Sequence, residues 1–127
     1  MKDLMEKLND STTLPIYKIY EATNKLEVEK LEAFVDYCRD SVKHLPHIQP
    51  IGQNPTDTAH VQNANIALDF DGEPRYTAWM VASHAAEALG WAEAIKEGEW
   101  NFRRDDLRVK ARHEAYKSQV EFLLGML

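Results

Sequence analysis

The sequence predicts an all-α protein: a helical bundle of three long helices plus one or two short helices, with a long irregular or partly helical middle connection. Three observations predict it. Apolar residues recur at three- and four-residue steps in three long segments. Prolines and glycines fall between these segments or at their ends, where they start or stop helices. Hydrophobic residues make up 44% and charged residues 28% of the chain, ordinary values for one domain spanning residues 1–127.

The first long helix is expected over residues 25–44. Its apolar stripe consists of Leu31, Val35, Cys38, Val42 and Leu45. Thr23 or Asn24 can cap its start, and Glu27 stands where a capping-box carboxylate would reach back. Pro46 ends it, because the ring lacks an N–H donor and disfavours helix in the preceding residue. Cys38 lies on the stripe and is therefore expected to be a small core residue.

Two regions around this helix are less defined. Before it, residues 2–9 favour one or two helical turns. The next apolar side chains are expected to pack as a short helical or extended element onto the body: Leu14, Ile16, Ile19 and Tyr20. After it, prolines and a glycine predict an irregular link at about 46–57. Residues 58–70 fit either a strand or a helix begun at Thr56 or Thr58, and helix is the preferred interpretation.

Two more long helices are expected in the second half. One begins with Pro74 in its first turn, ends near Gly98 and is apolar almost all around, as a central helix would be. Its small residues predict a seam where another helix comes close: Ala78, Ala82, Ala85, Ala86, Ala88, Gly90, Ala92 and Ala94. The last helix begins at Asp105 or Asp106 and runs nearly to residue 127. Its apolar end is expected to dock into its own core or to meet a second subunit.

One candidate site lies on the central helix. His84, Glu87 and Trp91 share one face, so the imidazole and the carboxylate can pair or point at one ion. The alternative function is a ligand-binding or metal-dependent enzyme with a pocket between the last two helices. This pocket would add His113 and act on an anionic small molecule such as a nucleotide. Two-metal bundles need Glu-x-x-His on two helices, however, and here His-x-x-Glu occurs once. Packing is the alternative; no catalytic residue, metal or cofactor is assigned.

A second candidate site joins an aromatic turn to a cationic stripe. Tryptophan, phenylalanine and arginine are typical of interface anchors, which predicts a partner-binding surface. Its residues are Trp100, Phe102, Arg103, Arg104, Arg108 and Arg112. The alternatives are a solvated face whose arginines pair with neighbouring acids, and aromatic side chains that close the end of the bundle. The absence of a Gly-rich phosphate loop weakens a nucleotide-hydrolase interpretation.

Charge and composition bound the function. The net charge is −6, but residues 1–102 sum to −8 and residues 103–127 to +2, so only the last segment is locally basic. This balance disfavours nucleic acid as a partner. The single cysteine, the lack of a signal-peptide pattern and the lack of a spanning apolar run favour a cytoplasmic protein outside the membrane. We expect a small helical interaction protein that forms a homo-oligomer and acts on a protein partner as an adaptor, inhibitor or regulator of phage or accessory-gene type.

Overall fold

A computed structural model describes residues 2–50, 52–97 and 102–127, without the side chains of Glu97 and Phe102. Within these ranges the chain forms six α-helices, two 3₁₀ turns and no strand, which confirms the all-α class. The α-helices are α1 (Lys2–Asn9), α2 (Pro15–Lys25), α3 (Val28–Asp40), α4 (Pro55–Asp69), α5 (Pro74–Ala94) and α6 (Phe102–Met126). The 3₁₀ turns are Leu45–His47 and Ile95–Glu97.

Helix α5 is the central element, as predicted, and α3, α4 and α6 all pack against it. It starts with Pro74 in its first turn, and the Glu73 side chain accepts a hydrogen bond from the Tyr76 backbone N–H. Its small residues are buried along its whole length, so the predicted alanine seam is confirmed. A Cβ on Gly90 would lie 2.7 Å from the backbone oxygen of Arg108, which shows how closely α6 crosses α5 at this point.

The first long helix ends at Asp40 instead of at residue 44, and it starts later than predicted because the chain breaks at Leu26 and Glu27. Both residues have extended backbones, and residues 23 and 24 belong to α2 instead of capping α3. Leu26 is buried at the break, and Arg75 of α5 donates to its carbonyl oxygen and to that of Thr23. Burial of one leucine and satisfaction of two helix-end carbonyls together favour two shorter helices over one continuous helix. Glu27 makes no side-chain capping bond.

The middle connection contains a helix of its own. Helix α4 settles the open interpretation of residues 58–70, which are helical up to Asp69. Pro55 stands in its first turn, slightly earlier than the predicted start. At its other end, Arg39 of α3 donates to the carbonyl oxygens of Ala67 and Phe70. These bonds satisfy carbonyls that a helix end leaves without partners, and they hold α4 against α3.

The apolar side chains of α2, α3 and α6 differ in how far they are buried. Cys38 and the α3 stripe are buried as predicted, and Leu123 with the last apolar residues packs against the same hydrophobic cluster. The end of α6 therefore docks into its own core. In α2, Ile19 is buried, and the exposed Tyr20 ring packs edge-on against Trp79 of α5, so this element does pack onto the body as predicted. Leu14, just before α2, is 58% exposed. No described helix is long and apolar enough to cross a membrane.

Candidate functional site

The close crossing of α5 and α6 brings a carboxylate of one helix against two arginines of the other. Glu87 Oε1 accepts from Arg112 Nη1 at 2.8 Å, and Glu87 Oε2 lies 3.9 Å from Arg108 Nη1. Hydrogen bonding to Glu87 raises the pKa of Arg112 above its ordinary value. The three side chains are partly exposed, so this ion-pair cluster contributes little to stability. It does fix the position of the Arg112 guanidinium on the surface.

Arg108 is held by two further contacts. Its Nη2 lies 3.0 Å from Asp105 Oδ1, one turn earlier on α6. Its guanidinium carbon stands 5.0 Å from the centre of a Trp91 ring on α5, within cation–π range. Trp91 and Glu87 thus lie on the α5 face predicted from their spacing, and that face meets α6. Arg108 and Arg112 of the cationic stripe are thus paired with acids, and Arg108 also stacks on an aromatic ring. The solvated-face alternative anticipated pairing with acids but not the contact with Trp91.

His84 contacts a different helix from Glu87. Its Nδ1 lies 2.9 Å from Asn63 Oδ1 of α4, whereas Glu87 points to α6. His113 is exposed on α6. Among the described residues, no group of three or more His, Cys, Asp or Glu side chains is arranged to hold a metal ion. The structure therefore does not gather His84, Glu87 and His113 into one metal centre.

The predicted partner-binding residues occupy different environments. Trp100 lies outside the described residues, as does the side chain of Phe102. Arg103 is exposed, whereas Arg104 is only 2% exposed. Arg104 Nη2 donates to Asp57 Oδ1 at 2.7 Å, which joins the first turn of α6 to the first turn of α4. Arg104 thus lies in the interior and cannot contact a partner without leaving it.

The link before α4 closes over this buried ion pair. A Cβ on Gly52 would lie 2.7 Å from Asp57 Oδ2, so any larger residue at position 52 would displace this carboxylate. One turn along α4, His60 is fully buried and its Nε2 lies 3.0 Å from the carbonyl oxygen of Ile48. Sequence patterns did not indicate this polar cluster, because Asp57 falls in the proline-rich segment where side-chain periodicity carries no information.

A groove of about 620 Å³ lies between the start of α2 and α6. We call it the α2–α6 groove. Its apolar lining comes from Leu14, Pro15, Ile16, Val109 and Tyr116. Its polar lining comes from Glu87, Asp106, Lys110, Arg112 and His113. The groove thus contains Glu87, Arg112 and His113 of the predicted sites, together with residues at the start of α2 that were not predicted to form a site.

An exposed apolar surface surrounds the α2–α6 groove. Leu14 and Val109 are 58% and 41% exposed although both line it. Leu14 also lines a neighbouring groove of about 460 Å³ with the exposed side chains of Tyr17 and Tyr20. Contiguous exposed apolar side chains mark interaction surfaces more often than isolated ones do. The signal in the sequence was Leu14 beside Pro15: a residue just before a helix has few neighbours to cover it.

Tyr116 at the base of the groove gives the site a measurable pH dependence. Burial, and next the negative charge of Glu87, raises the pKa of Tyr116 to about 12. Because the folded pKa exceeds the ordinary value of 10.0, this contribution to stability is complete below pH 10 and is lost as pH rises towards 12. When the pH is raised from 9 to 11, the free energy of unfolding should fall for both proteins. The fall should be about 1 kcal/mol smaller for Tyr116→Phe than for the wild type, because phenylalanine cannot ionise. Urea unfolding at both pH values measures this difference; equal losses would contradict it.

The chain matches no protein-family model, no curated protein and no solved structure.

Proposed function

We propose that the chain is an interaction protein that binds a protein partner in the α2–α6 groove. The observation that carries this proposal is the exposure of Leu14 and Val109 on opposite walls of the groove. Burying apolar surface contributes about 25 cal/mol per Å², so covering these side chains favours association. The second groove around Tyr17 and Tyr20 extends the same surface, and tyrosine is enriched in protein interfaces.

Charge indicates the kind of segment that fits. Lys110 and Arg112 line the groove, and the Arg112 guanidinium already accommodates the carboxylate of Glu87. A partner segment with apolar side chains flanked by a carboxylate would bury its apolar groups against Leu14 and Val109 and place its charge near Lys110. In this proposal the chain acts as an adaptor, inhibitor or regulator, and the exposed Arg103 belongs to the outer rim of the surface.

Self-association is a related proposal. Residues 1–102 sum to −8 and residues 103–127 to +2, so a second copy could place its acidic part against the basic α6 of the first. Sedimentation equilibrium between low and high salt measures this. A homo-oligomer held by charge should dissociate as salt rises, and a monomer at every concentration would exclude it.

Replacing Leu14 with Asp should weaken partner binding at least tenfold and leave the fold intact. Leu14 is the N-cap residue of α2 and makes no side-chain capping bond, whereas aspartate is a preferred N-cap. The substitution therefore adds charge to the groove without weakening the helix. Val28→Asp is the matched control, since Val28 is also exposed but lies at the start of α3. Isothermal titration with the purified partner checks it; equal affinity of both variants would refute the proposal.

A second candidate is binding of a small anionic ligand such as a nucleotide. A volume of about 620 Å³ falls within the usual range for ligand pockets, and Lys110, Arg112 and His113 line it. ATP should then saturate the chain, and Lys110→Gln should bind it several-fold more weakly while partner binding through Leu14 is unchanged. Calorimetry without ATP-dependent heat would exclude this candidate.

A further inference from the structure

A second polar pocket lies between α3 and the turn that joins α4 to α5. It has a volume of about 170 Å³ and shares no lining residue with the α2–α6 groove. Leu31 and Val35 of α3 form one apolar wall, and Pro74 closes the opposite side. At about 30 Å³ per water molecule, the volume corresponds to a ligand of only a few heavy atoms. We call it the α3–α5 pocket.

The Thr77 side chain provides an acceptor at this pocket that the described residues leave unused. Thr77 is 8% exposed and lines the pocket, and its Oγ1 is buried with no hydrogen-bond partner among the described residues. A buried hydroxyl is normally hydrogen-bonded, because leaving it unsatisfied costs free energy. Gly72 lines the same pocket, and a Cβ there would stand 3.7 Å from Oγ1. The missing side chain leaves room in front of the hydroxyl.

The charge of the lining favours a cation. Glu32, Asp36 and Asp71 contribute three carboxylates, whereas Arg39 is the basic residue that lines the pocket. Arg39 directs its guanidinium at the carbonyl oxygens of Ala67 and Phe70, where it holds the end of α4. The lining therefore has excess negative charge as well as an unused hydroxyl acceptor, and a cation that carries N–H donors satisfies both.

The remaining features distinguish an organic cation from a metal ion. The carboxylates are not grouped closely enough to hold a metal ion among the described residues. The apolar side chains Leu31 and Val35 would also give a metal ion no ligands, but they suit an alkyl chain. We propose that the α3–α5 pocket binds an alkylammonium group, whose N–H groups donate to Thr77 Oγ1 and to one of the carboxylates. Such a group occurs in free aliphatic diamines and in lysine side chains.

The test is an NMR titration of the ¹⁵N-labelled chain at constant ionic strength. The probes are 1,4-diaminobutane and N-acetyl-lysine methylamide, with 1,4-butanediol as the uncharged control. Saturable shifts centred on Gly72 and Thr77 are expected with the amines and not with the diol. The amine that saturates at the lower concentration identifies the source of the group. Absence of saturation with both amines, or equal shifts with the diol, would overturn the proposal.

Two variants connect the binding to the hydroxyl. Thr77→Val keeps the shape of the side chain and removes Oγ1, so amine affinity should fall at least tenfold with folding retained. Gly72→Ala places a methyl group in ordinary van der Waals contact with Oγ1, and it should weaken binding several-fold without displacing the backbone. If Thr77→Val and the wild type bind the amine equally, the shifts come from the acidic surface of α3 and the assignment of the pocket is wrong.

Discussion

Replacing Asp57 with Asn should lower the free energy of unfolding by about 3–5 kcal/mol. Asp57 and Arg104 are both buried and lie 2.7 Å apart, so the substitution leaves the guanidinium charge in the interior without this carboxylate. Removing a hydrogen-bonded carboxylate from a buried charge is costly because burial has already removed the hydration that would otherwise stabilise that charge. Urea unfolding followed by far-UV circular dichroism measures the loss.

An exposed ion pair offers the matched control. Asp40 and Lys43 lie 2.6 Å apart with both side chains largely exposed, so Asp40→Asn should cost less than about 1 kcal/mol. The double variant Asp57→Leu with Arg104→Met should recover much of the lost stability, because it removes both buried charges. If the free energy of unfolding of Asp57→Asn lies within about 1 kcal/mol of the wild-type value, the buried ion pair does not hold α4 to α6.

Gly90→Ala should destabilise the fold by about 1–3 kcal/mol, although alanine favours a helix over glycine by about 1 kcal/mol. The added Cβ would lie 2.7 Å from the backbone oxygen of Arg108 and 3.3 Å from Arg112 Cβ. A backbone carbonyl cannot rotate away as a side chain can, so α6 must shift as a whole. That shift would also stretch the bond between Glu87 and Arg112. Thermal unfolding gives the change in stability.

The control is a glycine in the same set of helices with open space around it. A Cβ on Gly125, in the last turns of α6, would meet no atom within 4 Å. Gly125→Ala should therefore be neutral or stabilising by up to about 1 kcal/mol. If Gly90→Ala is also stabilising, α5 and α6 do not cross as closely as described, and the position of Glu87 against α6 loses its support.

Periodicity and small-residue content predicted the parts of the fold that depend on repeated local patterns. The alanines of α5 recur at helical spacing, so both the helix and its central position followed from the sequence. The apolar stripe of α3 likewise predicted the burial of Cys38. The break at Leu26 did not follow, because it depends on Arg75, a residue about 50 positions away in the chain. Patterns read from neighbouring residues cannot predict a contact between residues so far apart in the sequence.

The site was predicted only in part for the same reason. The spacing of Glu87 and Trp91 placed them correctly on one helical face. It could not show that His84 is hydrogen-bonded to Asn63 whereas Glu87 accepts from Arg112. Arg104 resembled its neighbours Arg103 and Arg108 in the sequence, yet it alone of the three is buried, against Asp57. Which arginine of a stripe is buried depends on where the neighbouring helix places a carboxylate, and the spacing of the arginines alone does not predict that position.

Site-specific photo-cross-linking tests the central claim, that partners dock on the α2–α6 groove. Benzoylphenylalanine in place of Leu14 puts the reactive group at the groove, and in place of Val28 it puts the same group on the exposed start of α3. Irradiation in the native host should cross-link one discrete partner at position 14 and none at position 28. A partner that co-purifies with the chain but cross-links at position 28 and not at position 14 would contradict the claim.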